Sequence, residues 1–294
     1  MDNTYPAKLL LLGEHTILRG SRALAVPFPS RYCYWVQREA EAPDAALLSF
    51  ATYLSTNFPT EFAHQRLYSD VHQGWRLAST IPVGYGLGSS GAVCLAVFDR
   101  YATARGRARA AERPKAFFAQ MENYFHGNSS GTDPLIAYLG EAICLHSDGH
   151  YDTVALPSWP AEWTLFLLDT QQPRQTGPLV QYFTERYDTE PSFRAAVDQQ
   201  WITATELGIT AWLAGDWNGM AQAFAQISTF QLTQLPPMVL PELRHDWTKG
   251  LANQRFSLKI CGAGGGGYCL GLTQDWPATQ VLLAAWPCEV LALP

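Results

Sequence analysis

Ser89 and Ser90 lie in Gly84-Tyr-Gly-Leu-Gly-Ser-Ser-Gly91, a glycine-dense loop that runs into helical spacing over Ala92–Ala104. Glycines let a backbone approach phosphate oxygens closely, and the free N–H groups of a helix start point at them. Two hydroxyls in the same loop can serve phosphate or Mg²⁺. The same residues equally describe a glycine-rich turn with serine helix caps. A second loop, Gly262-Ala-Gly-Gly-Gly-Gly267, follows an apolar run. Both loops formally match GxGxxG, but a dinucleotide site needs a helix after the loop and an acid roughly 20 residues on. The second loop runs into a strand pattern, Tyr268–Leu272, and the first has Asp99 as its nearest downstream acid, still inside the helix. Walker A is absent, as are the HRD and DFG marks of a protein kinase.

The elements that must position these loops follow from periodicity. Leu9–Leu12 is a short apolar run closed by Gly13, and residues 22–38 continue as strand. Pro43–Phe58 reads as a helix closed by Pro59, and Tyr68–Leu77 as strand. The helix after the first loop is expected to stop at Gly106. Pro114 opens the next, with Phe117, Phe118, Met121, Tyr124 and Phe125 on one stripe, Glu122 and His126 on another face, and Gly127 at its end. Asp148-Gly149 marks a hairpin between Ala142–Leu145 and Tyr151–Leu156. It makes a hairpin tip of His146 and His150 rather than a metal site. Pro157–Pro160 is the best linker. Trp163–Leu168, Phe256–Cys261 and Tyr268–Leu272 read as strands, and residues 191–253 as mostly helical, with Phe193, Val197 and Trp201 on one face. Strands and helices do not simply alternate, which argues for α+β.

The 294 residues suggest about two domains. With 47% hydrophobic and 16% charged residues the chain can build a core. A net charge of −6 argues against general nucleic-acid or anionic-membrane binding. The six cysteines form no CxxC pair and read as reduced, mostly buried thiols. The N-terminus has no basic region ahead of a cleavage site, and no apolar run reaches roughly 18 residues, so a soluble cytoplasmic protein is expected.

Three segments taken together resemble the GHMP kinases: Pro6-Ala-Lys-Leu-Leu-Leu-Leu-Gly-Glu-His-Thr-Ile-Leu-Arg-Gly20, Pro82-Val-Gly-Tyr-Gly-Leu-Gly-Ser-Ser-Gly91 and Lys259-Ile-Cys-Gly-Ala-Gly-Gly-Gly-Gly267. A fourth, Glu122-Asn-Tyr-Phe-His-Gly-Asn-Ser-Ser-Gly-Thr-Asp133, is similar to the mevalonate kinase stretch with an acid, then HGNPSG, then the catalytic Asp. The resemblance implies a two-domain α+β fold: an N-terminal domain similar to ribosomal protein S5 domain 2 over 1–158, and a ferredoxin-like C-terminal domain over 159–294. It also implies ATP and Mg²⁺ as cofactors and a small alcohol, mevalonate first, as acceptor. No nucleic acid or membrane partner is expected, and a homodimer stays open.

The resemblance gives residues their roles. Asp133 would accept or orient the substrate hydroxyl proton, although Asp before Pro is also common in turns. Lys8 would stand beside that carboxylate; a surface lysine at a strand end is the plainer alternative. Gly84, Gly86, Leu87, Gly88, Ser89, Ser90 and Gly91 would hold the ATP phosphates. Glu122 and Ser90 would bind Mg²⁺, with Ser89 as the other serine candidate and a solvated helix carboxylate as the alternative for Glu122. His15, Arg174, Thr176 and Gly264 would lie on the substrate side. A satisfied core histidine is the alternative for His15, and a polar loop for Arg174 and Thr176.

Lys8 argues against a galactokinase, Asp133 against a homoserine kinase, and His15 leans away from a phosphomevalonate kinase. The family's Ser-Ser-Ala-Ala reads Ser89-Ser-Gly-Ala92, a change expected to be conservative. Basic residues that some mevalonate kinases carry are absent at Ile143, Cys144 and Leu145. The rivals are another GHMP kinase acting on phosphomevalonate or a sugar, a catalytically silent ATP-binding regulator on the same fold, and the disfavoured NAD-dependent oxidoreductase.

Overall fold

The computed structural model describes residues 3–39, 41–173 and 176–292, with the side chain of Thr176 outside the description. Along the chain the elements are β1 (Thr4–Leu12), β2 (Ala23–Gln37), α1 (Ala45–Asn57), α2 (His64–His72), β3 (Trp75–Ser79), α3 (Ser89–Tyr101), α4 (Ala104–Glu112), α5 (Pro114–His126) and α6 (Thr132–Leu139). There follow β4 (Ile143–Leu145), β5 (Tyr151–Thr153), β6 (Thr164–Asp169), α7 (Thr176–Thr189), α8 (Pro191–Ala196), α9 (Thr203–Ala214), α10 (Trp217–Gln234), α11 (Pro241–Ala252), β7 (Phe256–Ile260), β8 (Tyr268–Thr273), α12 (Trp276–Leu282) and β9 (Cys288–Val290). They fall into two compact units: one of residues up to Leu9 with Pro27–Pro82 and Leu87–Glu141, the other of Leu10–Val26, Val83–Gly86 and residues from Ala142 onward.

In the first unit β2 pairs antiparallel with β3, from Cys33 opposite Ser79 to Gln37 opposite Trp75. Its helices close on an aromatic core. Phe58 meets Phe117 edge-on at 5.2 Å between ring centroids, and Phe98 meets Phe117 and Phe118 at 5.5 and 5.2 Å. Such edge-to-face pairs satisfy the ring quadrupoles beyond simple area burial. The stripe read on α5 is confirmed at Phe117, Phe118 and Met121, all buried, whereas Phe125 is exposed.

Two local expectations are corrected. The stretch Tyr68–Leu77 is not one strand. Leu67 and Val71, four apart, are the buried face of α2, and Gly74, at φ +86°, turns the chain into β3. Gly106 does not end the helix after the first loop. That helix stops at Tyr101, and Thr103 caps a new one by accepting the Gly106 N–H at 3.2 Å, so Gly106 lies in the first turn of α4.

In the second unit the start of β2 pairs with β4, Ala23 opposite Leu145, and β4 with β5 across the expected hairpin. His146 and His150 at its tip both bond Asp152, at 2.9 and 3.2 Å. A separate antiparallel sheet runs β7-β8-β6-β9. Its edge strand β7 is covered rather than left open: Leu258 N–H donates to Ser228 Oγ and Ile260 N–H to Gln231 Oε1, both from α10. Trp201, Trp212, Trp247 and Phe224 fill the core of this unit. Phe193, Val197 and Trp201 are all buried, as their spacing suggested. Among the described residues no disulfide joins the six cysteines, of which five are buried and Cys288 is half-buried. Among the described residues no helix is long and apolar enough to cross a membrane.

Candidate functional site

The first unit gathers Lys8, Gly88, Ser90, Gly91, Glu122 and Asp133. Lys8 extends from β1, whose backbone is tied to the loop through Lys8 N–H to Leu87 O at 2.9 Å. Asp133 occupies the first turn of α6 rather than a free turn. The Lys8 ammonium lies 3.0 Å from Asp133 Oδ1, with side-chain exposures of 10% and 30%. The pair is therefore sheltered on the lysine side and open on the carboxylate side.

Gly88 is the N-cap of α3 in the left-handed region, φ +69°, and a Cβ there would come within 2.9 Å of Lys8 Cγ and 3.0 Å of Asp133 Oδ2. Among the described residues no side chain caps α3. The first amides of this 13-residue helix thus stay available to an anion, beside the ion pair. Gly91 lets α3 approach α6: a Cβ would lie 2.6 Å from Pro134 N and 2.7 Å from Asp133 C. Glycine in place of the resembled motif's alanine is thus not a conservative change in this chain, because rigid backbone fills the space a methyl would need.

Glu122 is the larger surprise. Although off the apolar stripe of α5, it is only 3% exposed. Ser90 Oγ donates to its Oε1 at 2.7 Å and Ser129 Oγ to its Oε2 at 2.5 Å. Ser90 Oγ also lies 3.0 Å from His126 Nε2. Burial first, and then repulsion from the Asp133 carboxylate, push the Glu122 carboxyl up to about 7. Hard oxygens, a buried carboxylate and a second carboxylate that disfavours its charge make a donor set that a small divalent cation fits.

The second unit holds the remaining predicted residues. His15 is 6% exposed, with its ring 5.0 Å from Phe183 and 6.0 Å from Trp201, and Nε2 is 3.2 Å from Ala263 O. Its backbone is strained, φ +60° for a non-glycine residue. The geometry is that of a packed histidine tying the first motif to the third. Gly264, φ +79°, packs so closely that a Cβ would be 2.8 Å from Met238 O. Tyr85, between Gly84 and Gly86, packs edge-on against Tyr268 at 5.1 Å. Arg174 lies outside the described residues, and Thr176 opens α7.

Sequence reasoning missed three participants. Ser129 sits where the resembled motif has proline and gave no signal. Glu14 and Lys259 form a fully buried ion pair, with Lys259 Nζ also 3.1 Å from Ile260 O. Both stand inside motifs already singled out, and the lone lysine in the apolar run Phe256–Cys261 was the available clue.

Residues 53–141 match the GHMP kinases N terminal domain. The fold is the two-domain α+β fold of the GHMP kinases. Among these the chain is most like mevalonate kinases. The mevalonate kinase of Thermococcus onnurineus (strain NA1) is 27% identical over 161 residues, 46% of this chain and 48% of that protein. The chain spans about half the length of such curated relatives. The crystal structure of L. major mevalonate kinase in complex with R-mevalonate superposes with a TM-score of 0.65 at 16% identity, covering 97% of this chain and 90% of that one. Streptococcus pneumoniae phosphomevalonate kinase in complex with phosphomevalonate and AMPPNP gives 0.63 at 16% identity, covering 99% and 100%. Scores this close leave the choice of acceptor to the side chains.

Proposed function

We propose that the chain is an ATP-dependent kinase of the GHMP type that phosphorylates a hydroxyl of a small alcohol, with mevalonate, converted to 5-phosphomevalonate, as the favoured acceptor. The observation that carries this reading is the Lys8–Asp133 pair at 3.0 Å, held against the glycine loop that opens α3. Phosphoryl transfer asks for positioning, charge neutralisation and a primed hydroxyl rather than covalent chemistry. Asp133 accepts or orients the hydroxyl proton at Oδ, and Lys8 stabilises the negative charge there. The Gly84–Gly91 loop and the α3 amides hold phosphate oxygens. Ser90 and Glu122 would hold Mg²⁺, which when bound neutralises phosphate charge. His15, Arg174, Thr176 and Gly264 belong to the acceptor side on this reading.

An ATP-consumption screen over mevalonate, phosphomevalonate, galactose and homoserine tests it. Turnover with mevalonate is expected. Turnover with phosphomevalonate or a sugar alone moves the acceptor and keeps the kinase. No ATP consumption with any acceptor refutes the kinase and leaves an ATP-binding regulator.

A further inference from the structure

Ser129 closes a set of bonds that a proline at its place could not make. Its N–H donates to Asn123 Oδ1 at 2.7 Å, back onto α5. Its Oγ accepts the Gly131 N–H at 2.9 Å, just ahead of α6. Its own O–H is thereby left to donate to Glu122 Oε2 at 2.5 Å. The other oxygen, Oε1, receives the Ser90 hydroxyl at 2.7 Å. Each oxygen of one buried carboxylate is therefore gripped by a hydroxyl from a different segment, the start of α3 and the loop between α5 and α6. Proline lacks both the N–H and the hydroxyl, so it would forfeit the bond to Asn123, the bond to Gly131 and the clamp on Glu122.

The terminal torsion of a glutamate is a broad two-fold rotor, so a carboxylate held at one oxygen alone still turns. Held at both, it does not. We infer that Ser129 is a positioning residue for the cation site: it fixes the Glu122 carboxylate through Oε2, so that Oε1 and Ser90 are presented together to Mg²⁺. This inference rests on the kinase reading above. It adds a determinant that the resembled proline motif does not contain. It also gives the site a preference. A carboxylate with one oxygen engaged by a hydroxyl offers a cation a single oxygen, which suits Mg²⁺ or Mn²⁺ better than Ca²⁺, a cation that also takes carboxylates bidentately.

The test compares Ser129→Ala, Ser129→Cys, Ser129→Thr and Glu122→Gln in the full chain. Mn²⁺ binding is measured by electron paramagnetic resonance with AMPPNP present, so that no turnover is required, and thermal melts report folding. Removing an outer partner of a metal ligand typically costs about tenfold or more in metal affinity. Ser129→Ala, or Ser129→Cys if the alanine protein melts early, should weaken Mn²⁺ binding about tenfold and narrow the preference over Ca²⁺. Ser129→Thr, which keeps the hydroxyl, should bind Mn²⁺ nearly as the parent does. Wild-type Mn²⁺ binding in the hydroxyl-deleted proteins, alongside weakened binding in Glu122→Gln, overturns the inference and leaves the kinase standing. Unchanged Mn²⁺ binding in Glu122→Gln overturns the cation site itself, and the inference with it.

Discussion

Gly88 stands against both members of the Lys8–Asp133 pair: a methyl group at its Cα would meet Lys8 Cγ at 2.9 Å and Asp133 Oδ2 at 3.0 Å. The loop that would carry phosphate and the carboxylate that would take a proton are therefore in contact. Asp133→Asn keeps the side-chain size and removes the base. It should lower kcat at least ~10²-fold while leaving ATP affinity nearly unchanged. Lys8→Met should also lower kcat, and the double variant should cost less than the product of the two, because the pair acts as one unit. Steady-state kinetics on the best acceptor decide this. Near wild-type turnover by a stably folded Asp133→Asn protein would reduce Asp133 to a helix-start residue.

Gly91→Ala should be costly even though the resembled motif has alanine there. The new methyl would meet Pro134 N at 2.6 Å and Asp133 C at 2.7 Å, and neither backbone atom can swing aside. Overpacking of this kind costs about 1–3 kcal/mol. The melting temperature should fall accordingly, and kcat should fall with it as α6 carries Asp133 away. Gly177→Ala, in α7 with no atom of the described residues within 4 Å of the new one, is the control and should melt no lower than the parent. Equal melting temperatures for the two variants would contradict the close approach of α3 and α6.

Glu122 makes stability depend on pH in a set direction. Its carboxyl is pushed up to about 7 in the folded chain from an ordinary 4.5, so the folded state holds the proton more tightly than the unfolded one. The stabilisation is present at low pH and is lost as pH rises through the window from 4.5 to about 7, a change of order ~3 kcal/mol. In chelator, Glu122→Gln should melt higher than the parent at about pH 8 and show a flatter profile across this window. Adding Mg²⁺ should raise the parent's melting temperature more at about pH 8 than at about pH 5, where the carboxyl is protonated. A profile unchanged by the substitution would mean that another group sets it.

The sequence carried the site's parts better than their assembly. The glycine loops, Lys8 and Asp133 were legible because each motif is contiguous and its spacing is read directly. The burial of Glu122 was not. Helical periodicity identified a single apolar stripe on α5, and a carboxylate off that stripe reads as solvated until the loop from Gly127 to Gly131 is seen folding over it. The segment Tyr68–Leu77 was misread as one strand because it joins the second half of α2, whose buried face is only Leu67 and Val71, to the first residues of β3. Ser129 was invisible for a plainer reason, since a serine in a polar loop acquires meaning only from the oxygen it touches.

Lys259 and Glu14 were beyond reach for a topological reason, being 245 positions apart in sequence and both buried completely. Their pairing yields a stability prediction independent of catalysis. Lys259 Nζ is also 3.1 Å from Ile260 O, so the ammonium is enclosed by acceptors. Lys259→Met leaves the Glu14 carboxylate buried without its ammonium and should cost about 3–5 kcal/mol, enough to unfold a marginal domain near physiological temperature. Glu14→Gln should be destabilising for the converse reason. In the double variant, Lys259→Met with Glu14→Gln, neither charge is buried, and much of the loss should return. Chemical denaturation of the four proteins measures the coupling. A double variant as unstable as the sum of the single ones would show that the two charges do not depend on each other, and that each is held by its own backbone contacts.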